Sequence, residues 1–342
     1  MRKNLFIANM GKDSDEPNGV NIKNRHFKKY FTEKEEIILI DTNDWKKKKV
    51  KLLMQIIFFS IISKKIIISI NSISAYQIIK VLTSLKLKLE GKIVYLVVGG
   101  SFSDKIKDNE FEIKYFKNLK QVFVQTNKME LDLKNMGLNN VSHLPNSKFF
   151  EKPVFNSKTS NNGVLKCVYL GRIHPDKGIN FIFDNLSSLN KSELKYSIEF
   201  FGPIESEYKD EFINNINIHS FSEYSGILDF SKKSLESYEK LSQYDIFLFP
   251  TFWGGEGFPG VIIDSFISGV PVLASDWNHN REVINSGENG LIFETKNDLE
   301  FKEKLDLLRN NIDFLQELKK GAYKSSDKYH SRNVLKKIDS FL

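Results

Sequence analysis

The sequence LKCVYLGRIHPDKGINFIFDNLSSL (residues 165–189) contains one complete strand-loop-helix unit. Its first part, residues 165–170, is a short apolar run, as expected of a strand buried in a parallel sheet. A loop with two glycines and several charged residues follows at 171–178. From there, apolar side chains recur at the spacing of one side of a helix: Ile179, Ile182, Phe183, Leu186 and Leu189. This unit predicts an α/β domain.

The same alternation of apolar runs and helical periods extends over the whole chain. In the first half, the runs expected to form strands are Asn4–Ala8, Glu36–Ile40, Lys65–Ile70, Lys92–Val98, Gln121–Gln125 and Val141–Leu144. The helical stretches between them include Ile22–Phe31, Ser74–Leu87 and Lys128–Met136. In the second half, strands are expected at Leu165–Leu170, Ser197–Phe201, Ile246–Phe249 and Val270–Ala274, and helices at Asp298–Lys320 and Arg332–Leu342. Repeated βα units favour parallel sheets covered on both faces.

Between the two halves the pattern lapses. Residues 145–163 are rich in Pro, Asn, Ser, Lys and Gly, which is typical of a linker. A chain of 342 residues is also too long for one ordinary core. We therefore predict two similar α/β domains with a cleft between them. Because ligands of such sheets bind beyond the carboxyl ends of the strands, chemistry is expected in the loops that follow strands.

Composition restricts the class of protein. Its 41% of hydrophobic and 27% of charged residues are typical of a soluble globular protein. Cys167 is the only cysteine, which excludes an internal disulfide and fits a reducing compartment. The N-terminal residues lack the pattern of a cleaved signal peptide and are expected to lead into the first strand.

Charge is distributed unevenly along the chain. Residues 1–150 contain 27 Lys and Arg against 15 Asp and Glu, whereas the remaining residues contain 23 against 28. A basic first half predicts contact with an anionic partner, such as a membrane surface, a lipid diphosphate or nucleic acid. The alternative is a solvated lysine-rich surface, and the same alternative applies to the run Lys46–Lys49.

The most apolar stretch is Val50–Ile70, but it is interrupted by Lys51, Lys64 and Lys65. The uninterrupted apolar part is shorter than the roughly 20 residues needed to span a bilayer. We therefore predict a helix at Asp44–Ser63 followed by a strand, and no transmembrane segment. Peripheral contact with a membrane remains open.

The loop Gly171-Arg172-Ile173-His174-Pro175-Asp176-Lys177-Gly178 is the first candidate site. It lies between a predicted strand and the start of a helix, where backbone N–H groups and the helix dipole favour anions. Arg172 adds a planar donor fork and Lys177 a mobile point charge. Together they suit a diphosphate whose charge grows as it leaves. The alternative is a pair of surface charges on a turn. The Gly-x-x-x-x-Gly-Lys-Ser/Thr pattern of a P-loop is absent.

The second candidate site is the loop PTFWGGEGFPG, residues 250–260. Glu256 lies in this glycine-rich loop at a predicted helix start, where its carboxylate could accept hydrogen bonds from sugar hydroxyls. Asp264 follows eight residues later, which in a helix spans about 12 Å. That exceeds the roughly 5–9.5 Å between the two carboxyl groups of a glycosidase, so the pair suits opposite ends of an elongated ligand. The alternatives are a dipole-stabilised acid for Glu256 and a solvent-facing residue for Asp264.

Other features carry weaker signals. Asn18-Gly19-Val20 precedes a predicted helix, where the glycine would let a phosphate approach. Asp13-Ser14-Asp15 has the Asp-x-Asp spacing of metal-dependent transferases but no acidic or histidine partner before it, so no metal is expected. None of the six histidines is paired at zinc-ligand spacing. No Gly-x-Gly-x-x-Gly fingerprint follows the first strand, which counts against a dinucleotide oxidoreductase.

The order of several motifs resembles the retaining glycosyltransferases of family 4, which have the two-domain GT-B fold. The resemblance covers nearly the whole chain and is strongest from Val168 to Phe293. Its parts are Gly171-Arg172…Lys177-Gly178, the Pro250–Pro259 segment, Gly269-Val270-Pro271-Val272 and Gly287-Glu288-Asn289-Gly290. It implies two Rossmann-like parallel-sheet domains facing a cleft. Residues 1–150 would bind the acceptor, residues 151–325 the nucleotide-sugar, and a helix at 326–342 would return to the N-terminal domain.

The resemblance also implies roles for individual residues. Arg172 and Lys177 would bind the donor diphosphate, and Glu256 would contact the donor sugar; these three are the expected catalytic residues. The further residues expected to bind the donor are Gly19, Gly171, Gly226, Ile227, Gly257, Phe258, Pro259 and Asp264. Asp264 stands where the family usually has a second glutamate, and it would hydrogen-bond the ribose.

Besides Asp264, a second departure from the family's pattern lies in the N-terminal half. Many members carry a histidine after the strand equivalent to 93–98, whereas this chain has Gly99-Gly100-Ser101. Neither His26 nor His143 occupies that place. No general base is assigned.

The motifs together with the resemblance imply a metal-independent hexosyl- or N-acetylhexosaminyltransferase without a cofactor. Its donor would be a UDP- or GDP-sugar, and its acceptor a glycan or a polyprenyl-diphosphate-linked sugar in bacterial surface-polysaccharide synthesis. The expected location is cytoplasmic, at the inner face of the membrane, with the basic N-terminal half as the contact and without nucleic acid. The alternatives are a GT-B nucleotide-sugar epimerase and a catalytically silent nucleotide-sugar-binding subunit.

Overall fold

A computed structural model describes residues 2–11, 19–85, 87–157, 159, 163–230 and 234–342 of the chain. These residues form two compact units. The first consists of Met1–Phe149 together with Tyr329–Leu342, and the second of Phe150–Lys328.

The first unit contains a six-stranded parallel sheet in the order β2-β1-β3-β4-β5-β6. Its strands are β1 (Asn4–Ala8), β2 (Ile37–Asp41), β3 (Ile66–Ser69), β4 (Ile93–Leu96), β5 (Gln121–Val124) and β6 (Val141–His143). Its helices are α1 (Gly19–Thr32), α2 (Trp45–Ile62), α3 (Ser72–Ser84), α4 (Phe102–Lys107), α5 (Lys114–Lys117) and α6 (Asn127–Asn135), with a 3₁₀ turn at Glu90–Lys92.

Both faces of this sheet are buried, which explains why its strands are apolar without alternation. Leu5 and Ile7 of β1 face a core that includes Ile56 of α2 and Ile78 of α3. Phe6, between them, faces a second core on the other side of the sheet. The prediction of a parallel sheet covered by helices is confirmed, with strand bounds within two residues of those expected.

The C-terminal segment packs on the same unit. It contains α14 (Ser331–Val334) and a 3₁₀ helix at Leu335–Phe341, rather than the regular helix expected at 332–342. Leu335 and Ile338 are fully buried in the core that contains Phe6. They are three positions apart, which is the repeat of a 3₁₀ helix, so this geometry keeps the apolar side chains on one line facing the core.

The second unit contains another six-stranded parallel sheet, in the order β12-β11-β10-β7-β8-β9. Its strands are β7 (Leu165–Leu170), β8 (Tyr196–Phe201), β9 (Ser222–Tyr224), β10 (Ile246–Phe249), β11 (Val272–Ser275) and β12 (Gly290–Phe293). Its helices are α7 (Ile179–Leu189), α8 (Lys209–Ile218), α9 (Ser234–Leu241), α10 (Gly260–Ile267), α11 (Asn280–Val283), α12 (Asp298–Asn310) and α13 (Ile312–Ser325). The 3₁₀ turns are Pro175–Lys177, Ser206–Tyr208 and Ser326–Tyr329.

Three expectations for this unit are corrected. The single helix expected at 298–320 is two helices, because Asn311 has a non-helical backbone (φ −128°, ψ 83°) and its side chain accepts from the Phe314 N–H to cap α13. β11 begins two residues later than expected, after Pro271, which has no N–H to donate to a sheet. The strands β9 and β12 were not predicted.

The apolar stretch beginning at Val50 forms α2 and β3, as the sequence predicts. Among the residues that the structure describes, no helix is both long enough and apolar enough to cross a membrane.

Candidate functional site

The order of strands in the second unit identifies where a ligand would bind. From β7 the chain continues to β8 and β9 on one side, and it returns to add β10, β11 and β12 on the other. β7 and β10 are neighbours at the centre, paired at Cys167 and Ile246. The loops after these two strands therefore leave the sheet in opposite directions, and open α/β sheets bind ligands in the crevice at such a switch point.

The loop after β7 carries both predicted cations. The Gly171 N–H donates to the Phe201 carbonyl at 3.0 Å, and the Tyr169 hydroxyl donates to the Arg172 carbonyl at 2.8 Å. These bonds fix the backbone of Arg172 while its side chain stays 54% exposed. Its guanidinium lies 3.4 Å from Glu205, a long contact between exposed groups that holds the arginine weakly.

Lys177 ends the 3₁₀ turn that follows. The His174 side chain accepts from the Asp176 N–H at 3.1 Å and caps this turn. Gly178 comes next with φ +78°, and a Cβ at that position would clash with the Pro250 carbonyl. A glycine is therefore required here, where the β7 loop crosses the β10 loop and α7 begins.

The loop after β10 is held from several sides. The Phe252 N–H donates to the Asp176 carbonyl at 2.9 Å, which joins it to the β7 loop. The Ser275 hydroxyl donates to the Thr251 carbonyl at 2.6 Å, and the Trp277 indole N–H to the Trp253 carbonyl at 2.9 Å. The glycine-rich loop thus has a defined shape although Trp253 is 36% exposed.

Glu256 forms an ion pair with Lys177. The two side chains are only 13% and 15% exposed, and the fully buried Thr251 hydroxyl donates to the same carboxylate at 3.3 Å. The structure therefore brings together two of the three predicted catalytic residues, from two loops at the switch point. Arg172 lies in the same β7 loop, five residues before Lys177.

The next predicted residues lead from this pair into α10. Phe258 and Pro259 are buried, and Pro259 occupies the N-cap position immediately before Gly260. No side chain caps this helix start, which follows Glu256 and Gly257 in the chain, and the positive end of the helix dipole there favours an anionic group.

Asp264 lies on α10 and is only 2% exposed, so it is not the solvent-facing residue considered as an alternative. Its carboxylate accepts from the Tyr238 hydroxyl of α9 at 3.2 Å. Burial, followed by the charge of Asp264, raises the pKa of Tyr238 well above its usual value, so the hydroxyl remains protonated and donates. The ribose contact stays a prediction.

Gly226 and Ile227 follow β9 at the same edge of the sheet. The Gly202 N–H donates to the Gly226 carbonyl at 2.7 Å, which extends the strand pairing into the loops. Ile227 is 44% exposed. The structure therefore places both residues two strands away from Arg172, on the β8 side of the switch point.

The predicted residues of the first unit lie elsewhere. Gly19 is the first residue of α1, whereas Asn18 and the Asp13-Ser14-Asp15 sequence fall outside the described residues. Burial, and then the charges of Lys148 and Lys29, lower the pKa of His26 to about 3, so it is neutral at physiological pH. Its Nδ1 accepts from the Phe149 N–H at 3.3 Å. The Nε2 of His143 lies 3.0 Å from the Gln125 carbonyl.

Sequence reasoning missed several residues that shape the loops after β7 and β10. Trp253 meets the His174 ring edge to face at 4.9 Å, and the Lys177 ammonium lies 5.7 Å from the centre of the Trp253 ring. Thr251 and Tyr238 hold the two carboxylates. The sequence contained a signal only for Trp253, an aromatic residue within the glycine-rich loop. Within the described ranges, no group of three or more His, Cys, Asp or Glu is arranged to hold a metal ion.

The second unit matches a known protein family. Residues 151–325, just over half of the chain, match the family model described as glycosyl transferases group 1. None of the curated protein sequences compared with the chain matches it significantly.

Comparison with solved structures covers both units. The Anabaena protein Alr3699/HepE in complex with UDP has a TM-score of 0.74 at 13% identity, covering 99% of this chain and 98% of that one. Sucrose-phosphate synthase from Thermosynechococcus elongatus has a TM-score of 0.76 at 11% identity, with the same coverage of 99% and 98%. The lipopolysaccharide outer core galactosyltransferase WaaB has a TM-score of 0.66 at 14% identity, again covering 99% and 98%.

At these identities the structures show a shared fold, and the family match supplies the activity class. The two six-stranded parallel sheets match the GT-B glycosyltransferases, as the sequence predicted. The chain has the GT-B fold and belongs to the glycosyl transferases group 1 family, and it is a glycosyltransferase.

Proposed function

We propose that this enzyme is a retaining glycosyltransferase of family 4. It would move a hexosyl or N-acetylhexosaminyl group from a UDP- or GDP-sugar to a glycan or a polyprenyl-diphosphate-linked acceptor. The setting we propose is the synthesis of a bacterial surface polysaccharide. Retention and the polysaccharide setting rest on the ordered motifs between Val168 and Phe293.

One observation carries the proposal: the Lys177–Glu256 ion pair at the switch point of the second sheet, in the loop that also carries the exposed Arg172. A nucleotide-sugar presents a dianionic diphosphate next to a sugar rich in hydroxyl groups. Two cations match the first, and a carboxylate that accepts hydrogen bonds matches the second. The two cations and the carboxylate therefore match the charge and the hydrogen-bonding groups of the donor.

The reaction breaks the bond between the anomeric carbon and the diphosphate oxygen, and the electron pair leaves with the diphosphate. A new bond forms between that carbon and an acceptor hydroxyl, which loses its proton. Negative charge thus grows on the leaving phosphate. Arg172 and Lys177 would stabilise it electrostatically, in place of a metal ion. Lys177 would have to exchange its contact with Glu256 for one with phosphate.

The remaining contacts with the donor are proposed for residues that lie at the same edge of the sheet. The N–H groups beside Gly257 and Phe258 would orient the sugar, and Gly226 and Ile227 would contact the base. Asp264, held by Tyr238, would accept from the ribose. Holding the donor in one geometry lowers the entropic part of the barrier.

Donor screening tests the proposal. The purified chain is heated with UDP- and GDP-sugars in the presence and absence of EDTA, and nucleotide release is measured with candidate acceptors. We expect one donor to raise the Tm equally with and without EDTA. Arg172→Ala and Lys177→Ala should lose this shift. Lys191→Ala, an exposed lysine just beyond α7, should keep it.

Each of the other results would contradict a part of the proposal. No shift with any donor, or equal shifts for Lys177→Ala and the wild type, would refute the donor site. Conversion of the donor to an isomeric nucleotide-sugar without an acceptor would show an epimerase. Donor binding without turnover on any acceptor would indicate a silent subunit. The anomeric configuration of the product, measured by NMR, tests retention.

A further inference from the structure

Helix α2 has two apolar sides. One side contributes Leu52 and Ile56 to the core of the first unit. The other carries Val50, Met54 and Phe58, which are 71%, 61% and 58% exposed. Residues spaced by four lie on one face of a helix, so these three form a continuous stripe. Ile61, 46% exposed, and Ile62, 42% exposed, prolong it to the end of the helix.

The stripe lies on the regular part of the helix. Lys48 has non-helical backbone angles (φ −123°, ψ 23°), which separate the first turn of α2 from the rest. From Val50 to Ile62 the helix is uninterrupted, and at 1.5 Å per residue this corresponds to about 18 Å. The exposed apolar surface is thus long and straight rather than a scatter of single side chains.

Cations lie at both ends of the stripe. α2 contains lysines at 46–49 and 51 and no acidic residue. Lys51 is exposed and lies three residues before Met54, on the same face of the helix. This half of the stripe therefore combines apolar and positively charged side chains.

The C-terminal end of the helix carries a second group of lysines. The Lys92 ammonium donates to the carbonyls of Ile61, at 3.4 Å, and Ser63, at 3.3 Å. Burial, and then the charges of Lys120 and Lys64, lower the pKa of Lys65. Lys64 and Lys120 are exposed.

An apolar stripe flanked by cations matches an anionic lipid surface. Apolar side chains enter the boundary of the acyl chains while lysines contact the phosphate headgroups. A second copy of the chain matches it less well. Pairing two α2 helices, parallel or antiparallel, would bring lysine-rich ends against each other, and like charges across an interface repel.

We propose that α2 lies in the plane of an anionic membrane surface, with Val50, Met54 and Phe58 inserted among the lipids and the flanking lysines on the headgroups. The helix itself does not cross the bilayer. The surface belongs to the first unit and is separate from the donor loops. The proposal rests on the proposed function only in that a lipid-linked acceptor would be found at the same surface.

Vesicle co-sedimentation of the full-length chain tests this. We expect binding to phosphatidylcholine vesicles that contain phosphatidylglycerol, little binding to phosphatidylcholine alone, and weaker binding at high salt. Met54→Gln/Phe58→Gln should reduce partitioning by at least about tenfold. Lys51→Gln should reduce it about fivefold, the effect of one lysine near an anionic surface. The matched control Leu131→Gln/Leu299→Gln changes two side chains that are 59% and 68% exposed, and it should bind like the wild type.

Several results would overturn the proposal. One is the absence of binding by the wild type, and another is equal binding by Met54→Gln/Phe58→Gln. A wild-type dimer that this variant converts to a monomer would assign the stripe to a second copy. The Tm and the donor-induced shift should be the same in the variant and the wild type, which shows that the fold and the donor site are intact. Donor binding without vesicle binding would refute the membrane proposal alone. Vesicle binding without donor binding would refute the proposed function alone.

Discussion

At the scale of single residues, the ion pair between Lys177 and Glu256 sets up a competition. Both side chains are largely shielded from water, so the lysine is held more firmly than an exposed lysine would be. Under the proposed function, a diphosphate would have to attract the ammonium away from this carboxylate. The same carboxylate would then be released to accept from the donor sugar.

This competition predicts opposite effects of Glu256→Gln on two measurements. We expect the Kd for UDP alone to fall about threefold to tenfold, because Lys177 no longer shares its charge with a carboxylate; this corresponds to about 1 kcal/mol. Turnover of the donor should fall by about a hundredfold, because an uncharged amide accepts hydrogen bonds from the sugar hydroxyls more weakly than a carboxylate does. Calorimetric titration with UDP and initial rates check the two effects. Glu193→Gln, on an exposed turn, serves as the control. Weaker UDP binding by Glu256→Gln would contradict the competition.

Lys23 gives a second prediction at this scale. It is 5% exposed on α1, its ammonium lies 5.4 Å from the centre of the Phe27 ring, and desolvation lowers its pKa to about 7. In the unfolded chain the value is about 10.4. At pH values between these two pKa values, the unfolded chain binds more protons than the folded chain. The contribution of Lys23 to the free energy of unfolding therefore rises with pH across that window, and it is lowest below about pH 7.

Lys23→Met should therefore stabilise the protein at neutral pH, by an amount on the order of a few kcal/mol at most. The gain should shrink as the pH approaches 10, because the lysine is then neutral in the folded state and begins to lose its proton in the unfolded state. Denaturant unfolding at pH 6, 8 and 10 measures this. Lys28→Met, an exposed position on the same helix, is the control. A gain in stability that does not change with pH would show that it comes from the shape of the methionine side chain rather than from removal of the charge.

How much of the site the sequence predicts also depends on individual residues. Arg172, Lys177 and Glu256 could be expected at one edge of the sheet because each lies in a loop between a strand and a helix, whereas the role predicted for Glu256 came mainly from the family resemblance. The pairing of Lys177 with Glu256 was not identifiable, because it depends on the crossing of two loops and the two residues are 79 positions apart. For the same reason Tyr238, the partner of Asp264, had no local signal.

At the scale of elements, the crossing of the β7 and β10 loops depends on Gly178. A Cβ there would meet the Pro250 carbonyl, and its φ of +78° is unfavourable for other residues. A side chain at position 178 would therefore displace the turn that holds Lys177.

We expect Gly178→Ala to lower the Tm and to abolish most donor binding. The matched control is Gly137→Ala, where φ is +85° but the closest atom to an added Cβ is the end of Lys117 at 3.7 Å. Both variants carry the backbone cost of about 1 kcal/mol, and only the first carries the clash. Thermal unfolding and donor titration separate the two. Equal effects of both variants would show that the loop crossing is unimportant.

Elements were predictable where the apolar pattern was long and local. Buried strands such as β7 and β10 were predicted with their exact bounds. The break at Asn311 was missed because both flanking segments have helical periods, and the break depends on one side chain capping the next helix. β9 was missed because it is polar and short, and it becomes a strand by pairing with the edge of the sheet at β8. Tertiary pairing of this kind overrides local preference.

At the scale of the whole molecule, the first unit is built from two separate parts of the chain. Residues 329–342 join it only after the second unit has been completed in sequence. They supply Val334, Leu335 and Ile338 to its core, all at most 4% exposed. At about 1.5–3 kcal/mol for each buried side chain, these three contribute about 5–9 kcal/mol, which is comparable to the whole stability of a typical domain.

Removing residues 329–342 should therefore unfold the first unit while the second remains folded. We expect a truncated chain to bind a hydrophobic dye strongly and to be digested by protease down to a fragment near residues 150–328. Lys336→Ala/Lys337→Ala, which changes two exposed side chains in the same segment, should behave like the wild type. A truncated chain with both units resistant to protease would contradict this role.

This arrangement has a consequence for the order in which a nascent chain matures on the ribosome. The second unit is encoded without interruption and can fold as it leaves the exit tunnel. The first unit, although translated earlier, lacks part of its interior until the codons for residues 329–342 have been read. All six strands of its sheet are present by then, but the apolar face that residues 329–342 cover stays accessible to chaperones during the synthesis of 179 further residues, from Phe150 to Lys328. Premature termination anywhere in that interval would leave a product that cellular quality control can recognise and degrade.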